Sequence, residues 1–155
     1  MENNECESRK NQVAAFRQVC KQRGIKVTPQ RLEIFLEVVS SSDHPSAEEV
    51  FEAVRKKLPT VSLDTVYRTL GTLAQCGLVA KVHIIDDRTR FDPNVMRHHH
   101  LVCVECKGIA DFQWPELDAV LMPASIETWG RLDAKHIQIL GICAKCMNKH
   151  SKSSE

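Results

Sequence analysis

Apolar residues recur at helical spacing in four stretches of the first 76 positions. Val13, Phe16, Val19 and Cys20 form one stripe over residues 10–23, ahead of Gly24, a natural helix stop. Thr28 can cap a second helix with Pro29 at its first position and Leu32, Phe35, Leu36 and Val39 on its apolar face. Ser46-Ala-Glu-Glu49 reads as a capping box followed by Val50, Phe51 and Val54. Ser62 caps a fourth helix bearing Leu63, Val66, Leu70 and Leu73, and Gly77 ends it. Val79 to Ile85 and Thr89 to Phe91 flank Asp86-Asp87-Arg88, which predicts a short β-hairpin. Short helices closed by a hairpin are the winged-helix arrangement. Further on, Ile109–Phe112, Glu116–Ile126 and Lys135–Leu140 predict a strand, a helix and a strand. The expected fold class is therefore α+β, a winged helix-turn-helix domain followed by a small α/β domain. The predicted boundaries are residues 1–91, a hinge at 92–97, and 98–155, with 1–8 and 148–155 as mobile polar tails.

Composition narrows the setting. The 155 residues are 43% hydrophobic and 26% charged, ordinary for a packed domain, and no apolar run approaches a membrane span. The first residues, MENNECESRKNQ, lack the apolar core of a signal peptide, so a cytoplasmic protein without membrane partners is expected. The net charge of +1 conceals a segregation. Seven basic residues and no acidic one lie between Arg9 and Leu32. The outer face of the fourth helix would then carry Asp64, Thr65, Tyr67, Arg68, Thr69 and Thr72. A DNA major groove accepts such a helix, with Arg68 reaching guanine or phosphate and Tyr67 a thymine methyl. A generic solvated helix is the alternative, and the basic stretch around Lys26 favours double-stranded DNA as the partner.

Seven cysteines and seven histidines add metal chemistry. Cys103-Val-Glu-Cys106 and Cys143-Ala-Lys-Cys146 are paired knuckles separated by 36 residues. In a reducing compartment they match a structural four-cysteine zinc site, with a redox dithiol as the rival reading. A second set, His44, Asp92, His98, His100 and Asp111, offers imidazoles and carboxylates suited to Fe²⁺, Mn²⁺ or Zn²⁺. On a strand His98 and His100 would face one side. Each has a plainer explanation, a loop histidine for His44 and a strand-end carboxylate for Asp111. A shared ion would fix one domain against the other. A zinc hydrolase or deaminase is the rival class, but there is no His-Glu-x-x-His helix and no deaminase His-x-Glu signature, so an enzyme is not expected. A zinc-stabilised adaptor is a third reading. Cys6, Cys20 and Cys76 are spare thiols, the latter two read as core.

Gly24-Ile-Lys-Val-Thr-Pro-Gln-Arg31, His44-Pro45, Thr65-Val-Tyr-Arg68, Arg90-Phe-Asp92, His98-His-His100 and both cysteine pairs, in this order, resemble the ferric uptake regulator (Fur) superfamily over roughly residues 10–147. The resemblance implies a homodimeric winged-helix repressor with a C-terminal dimerisation domain, whose metal binding closes the dimer onto operator DNA. It implies structural zinc on Cys103, Cys106, Cys143 and Cys146, and a regulatory ion on His44, Asp92, His98, His100 and Asp111. Lys26, Arg31, Thr65, Tyr67 and Arg68 fall on motifs at the DNA-binding face. Aspartate at both 92 and 111 resembles the peroxide-sensing PerR branch, with Fe²⁺ or Mn²⁺ as its regulatory ion; an iron-responsive repressor of iron-uptake genes is the alternative. His99, Asp118 and His136 match positions of a further, weaker metal site, where Arg97 replaces a histidine.

Overall fold

The computed structural model of the chain describes residues 2–83, 88–132 and 135–152. It comprises two compact units, Met1–Val95 and Met96–Glu155.

In the first unit, helices α1 (Glu2–Gln22), α2 (Pro29–Ser40), α3 (Ala47–Lys57) and α4 (Leu63–Gln75) precede a two-stranded hairpin of β1 (Ala80–His83) and β2 (Thr89–Asp92). Local capping sets the helix starts. The hydroxyl of Thr28 accepts the Arg31 amide, Ser62 accepts that of Thr65, and Ser46 with Glu49 completes a reciprocal capping box. The buried core joins Phe16 and Cys20 of α1 to Ile34, Phe35 and Val38 of α2, Val50 and Val54 of α3, and Val66, Leu70 and Leu73 of α4. Helix α1 begins at Glu2, within the stretch read as a tail and well before the expected start near residue 10. Its first turns lack apolar periodicity, and Lys21 in the last turn favours the helix dipole. The expected hairpin turn lies mostly at residues 84–87, outside the described residues.

Strand β2 is stitched to the start of α3. The Phe91 amide donates to the Pro45 carbonyl at 3.0 Å, and Ser46 and Arg90 form an isolated antiparallel bridge.

The second unit is a three-stranded sheet ordered β4-β3-β5. Central β3 (His99–Cys103) pairs antiparallel with β4 (Ile109–Phe112) and parallel with β5 (Gln138–Gly141). The single helix expected over Glu116–Ile126 is instead α5 (Pro115–Ala119) and a 3₁₀ turn, Ala124–Trp129. Pro123 lacks an amide and disfavours helical geometry at Met122, which breaks the run. The last strand begins at Gln138 rather than Lys135, whose ammonium reaches the carbonyls of Leu117 (2.5 Å) and Val120 (2.8 Å) beyond α5. Helix α6 (Ala144–Lys152) runs into the stretch read as a C-terminal tail. No helix among the described residues is long and apolar enough to cross a membrane.

Candidate metal centre and nucleic-acid interface

Both cysteine knuckles lie in the second unit. Cys103 ends β3, and the Lys107 amide turns back to its carbonyl at 3.0 Å, with Lys107 itself at φ +59°. The Met147 amide bonds the Cys143 carbonyl at 3.0 Å as α6 begins, which sets the second knuckle. The sulfurs of Cys103 and Cys146 are 3.9 Å apart, those of Cys106 and Cys143 are 3.7 Å apart, and all four lie within 4.8 Å of one another. A tetrahedral ion with metal–sulfur bonds of about 2.3 Å requires sulfurs about 3.8 Å apart, so this cluster could hold zinc. The Cys143 amide points at Cys103 Sγ at 3.3 Å and holds that thiol below its ordinary range. Burial and the neighbouring thiols push Cys146 upward, the cost that a cation would relieve. A Cβ at Gly108 would stand 3.3 Å from the Cys106 sulfur, so the knuckle leaves little room for a side chain there.

The same sheet carries half of the second ligand set. His98 immediately precedes β3 and His100 lies within it, and their Nε2 atoms are 2.9 Å apart. Asp111 of β4, opposite His100 in register, places Oδ1 3.6 Å from each. His98 Nδ1 sits 2.7 Å from the Met96 carbonyl, an arrangement in which the Nδ1–H donates and Nε2 keeps its lone pair for a metal. Both rings are buried.

The other half lies in the first unit. His44 Nε2 is 3.4 Å from Asp92 Oδ2, and both side chains are almost wholly buried. The hydrogen bond between Phe91 and Pro45 explains the meeting, because it joins the residues next to each. Asp92 is held in turn by the Asn94 amide at 2.7 Å. His44 adopts φ +48°, a left-handed conformation uncommon for residues other than glycine and concentrated at functional sites.

His99, Asp118 and His136 are not gathered into a ligand set among the described residues. His99 Nε2 does approach Asp118 Oδ1 at 3.4 Å, but the Arg97 guanidinium reaches the same oxygen at 2.8 Å. His136 Nδ1 turns instead to the His98 carbonyl at 3.4 Å. Arg97 thus supplies fixed positive charge at Asp118.

On α4, Thr65 and Arg68 line a cleft of about 420 Å³ with Lys26, Thr28, Gln30, Arg31, Thr69 and Thr72. Arg31 donates to the Lys26 carbonyl at 2.7 Å, tying the basic loop to α2. Arg68 is highly exposed, and its 3.9 Å approach to exposed Asp64 is too loose to immobilise it. Thr69, read as outward-facing, is buried. Tyr67, nearly half exposed, does not line the cleft; its hydroxyl donates to Glu48 of α3 at 2.5 Å. The contacts of Glu48 with Tyr67 and of Glu49 with Arg90 left no signal in the sequence, because polar pairs far apart in the chain carry no periodicity. Cys20 is buried and Cys76 half-buried, while Cys6 lies in a stretch whose side chains are outside the described residues.

Fold and site define a two-unit protein, a helical unit with a hairpin wing and a sheet unit with a four-thiol centre. Residues 22–148 match the ferric uptake regulator family, and the chain belongs to it. It is 34% identical over 129 residues to the peroxide-responsive repressor PerR of Staphylococcus aureus (strain Mu50), covering 83% of this chain and 87% of that protein. Its fold matches the ferric uptake regulator Fur of Helicobacter pylori, a structure described as having three functional metal-binding sites, with a TM-score of 0.72 at 23% identity over 90% and 93% of the chains. PerR of Streptococcus pyogenes, described in terms of peroxide sensing and gene regulation, matches with a TM-score of 0.50 at 28% identity over 85% and 90%.

Proposed function

We propose that the chain is a homodimeric, metal-dependent transcriptional repressor that responds to peroxide. The observation that carries this reading is the pair of partial ligand sets, buried His44 with Asp92 in one unit and buried His98 and His100 with the more exposed Asp111 in the other. Two and three donors each leave a coordination sphere incomplete, whereas five nitrogen and oxygen donors suit Fe²⁺ or Mn²⁺. A divalent ion held by all five would restrain residues 92–97, the expected hinge. The four thiolates would hold zinc throughout and keep the second unit folded.

The DNA partner is supported by the cleft beside α4 that Lys26, Arg31, Thr65 and Arg68 line, with Tyr67 exposed on the same helix; Lys26 and Arg31 would meet phosphate, and Thr65, Tyr67 and Arg68 would meet base edges. A second copy is supported by the sheet unit, where Leu101, Ile139, Leu140 and Ile142 are exposed and β5 lies at the sheet edge. The four thiols suit the reducing conditions of the cytoplasm. Two copies would present paired α4 helices to half-sites one helical turn, or a multiple, apart. A hundredfold dependence on the ion needs about 2.7 kcal/mol of differential affinity, within reach of one or two ligands gained on closure.

Kinship with a peroxide-responsive repressor at 34% identity supports the signal. Bound Fe²⁺ would supply the one-electron chemistry that activates peroxide. His44 and His98 present the ring carbons to be attacked. One peroxide oxygen ends on the imidazole carbon in place of its hydrogen, and the other leaves as water. An oxidised ring would be a poor ligand, which would weaken the hold of His44 or His98 on the ion and with it operator binding. Peptide mass mapping after peroxide treatment of the Fe²⁺-loaded protein should show one added oxygen on the His44 or His98 peptide, and none with Mn²⁺. Oxidation confined to cysteines would contradict this. Fe²⁺-dependent operator binding that survives peroxide would indicate an iron-responsive repressor instead.

A further inference from the structure

Adjacent glutamates in the first turn of α3 reach different elements. Glu49 Oε2 accepts the Ser46 amide at 2.7 Å and the Arg90 guanidinium of β2 at 2.7 Å. Glu48 Oε1 accepts the Tyr67 hydroxyl of α4 at 2.5 Å. Glu49 completes the capping box and Glu48 adds negative charge to the same first turn, but neither role requires the contact of Glu48 with Tyr67. A carboxylate beside a helix that meets phosphates opposes binding through its charge, which calls for a compensating role. Its geometry supplies one. Tyr67 is nearly half exposed and would otherwise sample several rotamers, and a short charge-assisted hydrogen bond selects one of them.

We propose that Glu48 is a positioning residue for DNA reading: it fixes the Tyr67 ring on the outer face of α4, while Glu49 anchors the same turn to Arg90, two residues from Asp92. This inference rests on the repressor reading above. The side chain that meets the bases is thereby referenced to the segment that holds His44 and Asp92, all within the first unit. Ordering the ring before binding lowers the entropic cost of a specific contact, and it does so only for a correct base pair. Glu48 is therefore expected to act on discrimination more than on total affinity.

The probe is the duplex enriched by the full-length, Mn²⁺-loaded protein from a random library, with a scrambled duplex of equal length as reference. Glu48→Ala and Tyr67→Phe should each lower the affinity ratio between the two about tenfold, roughly 1.4 kcal/mol. The double variant should lose no more than either single one, because both remove the same hydrogen bond. Glu48→Gln keeps an acceptor oxygen and should restore most of the ratio. A Glu48→Ala ratio equal to wild type, or additive losses, would overturn the inference while the repressor reading stands. Failure of the wild-type protein to enrich any duplex would overturn both.

A second readout needs no DNA. Tyr67 is the chain's one tyrosine, so ultraviolet titration of tyrosinate reports on it alone. The hydrogen bond to Glu48 raises the phenol above its ordinary value of 10.0. Glu48→Ala should lower the titration toward that value, and an unchanged curve would overturn the positioning role.

Discussion

His44 sits in a backbone conformation that costs on the order of 1–3 kcal/mol, and it persists because the Pro45–Phe91 hydrogen bond and the Ser46 capping box hold the chain on its C-terminal side. Strain of this kind accords with a ligand held ready. The four thiols lead to a different expectation. With Cys103 held low by the Cys143 amide, replacement by serine removes the easiest thiolate of the cluster. Cys103→Ser should abolish stoichiometric zinc and lower the unfolding midpoint of the second unit markedly, since such sites contribute about 10–16 kcal/mol of apparent free energy. Metal analysis with thermal unfolding checks this. The Glu48–Tyr67 pair gives a pH window. The Tyr67 hydroxyl holds Glu48 below its ordinary 4.5, so the bond contributes above that value and is lost as the pH falls through the lowered folded pKa. Tyr67 is raised, so at the other end the bond contributes below 10.0 and is lost as the pH rises through the raised folded pKa. The ring resonances of the single tyrosine should report both edges.

Among the elements, α4 shows the division between burial and recognition. Val66, Leu70 and Leu73 pack inward, leaving Thr65, Tyr67 and Arg68 accessible on the same helix. Leu70→Ala should destabilise the first unit by about 2–5 kcal/mol in urea unfolding, and operator binding should fail only where folding fails. Elements of this kind were legible because their signals are local. Thr28, Ser46 and Ser62 cap the helices that the apolar spacing predicted, and His98, just ahead of β3, converges with His100 on one side as the two-residue spacing suggested. The four-cysteine cluster was legible too, since each knuckle fixes two sulfurs by sequence alone. Other features left no local trace. Helix α1 extends to Glu2 through residues without an apolar stripe, and the proline break at 123 divides a run whose periodicity looked continuous. Contacts such as Arg90 to Glu49 and Arg97 to Asp118 join polar residues far apart in sequence, where periodicity carries no information. At Arg97 a guanidinium meets Asp118, the carboxylate that the resemblance placed in a weaker metal site.

At the scale of the whole molecule, the proposed function requires the four-thiol centre to maintain the second unit, one labile ion to be shared by the two partial ligand sets, and α4 to read DNA. Coupling between ion and DNA is reciprocal, so the operator should tighten Mn²⁺ binding by the factor by which Mn²⁺ tightens operator binding. On the proposed function, phosphate contacts from Lys26 and Arg31 of both copies should make affinity fall steeply with salt, in the absence and presence of the ion alike. The most direct measurement is operator affinity with and without Mn²⁺ for wild type and His44→Ala, each carrying its full complement of zinc. Wild type should gain about a hundredfold from Mn²⁺, and His44→Ala less than about twofold with zinc content and dimerisation unchanged. An equal gain in the two proteins would contradict the account.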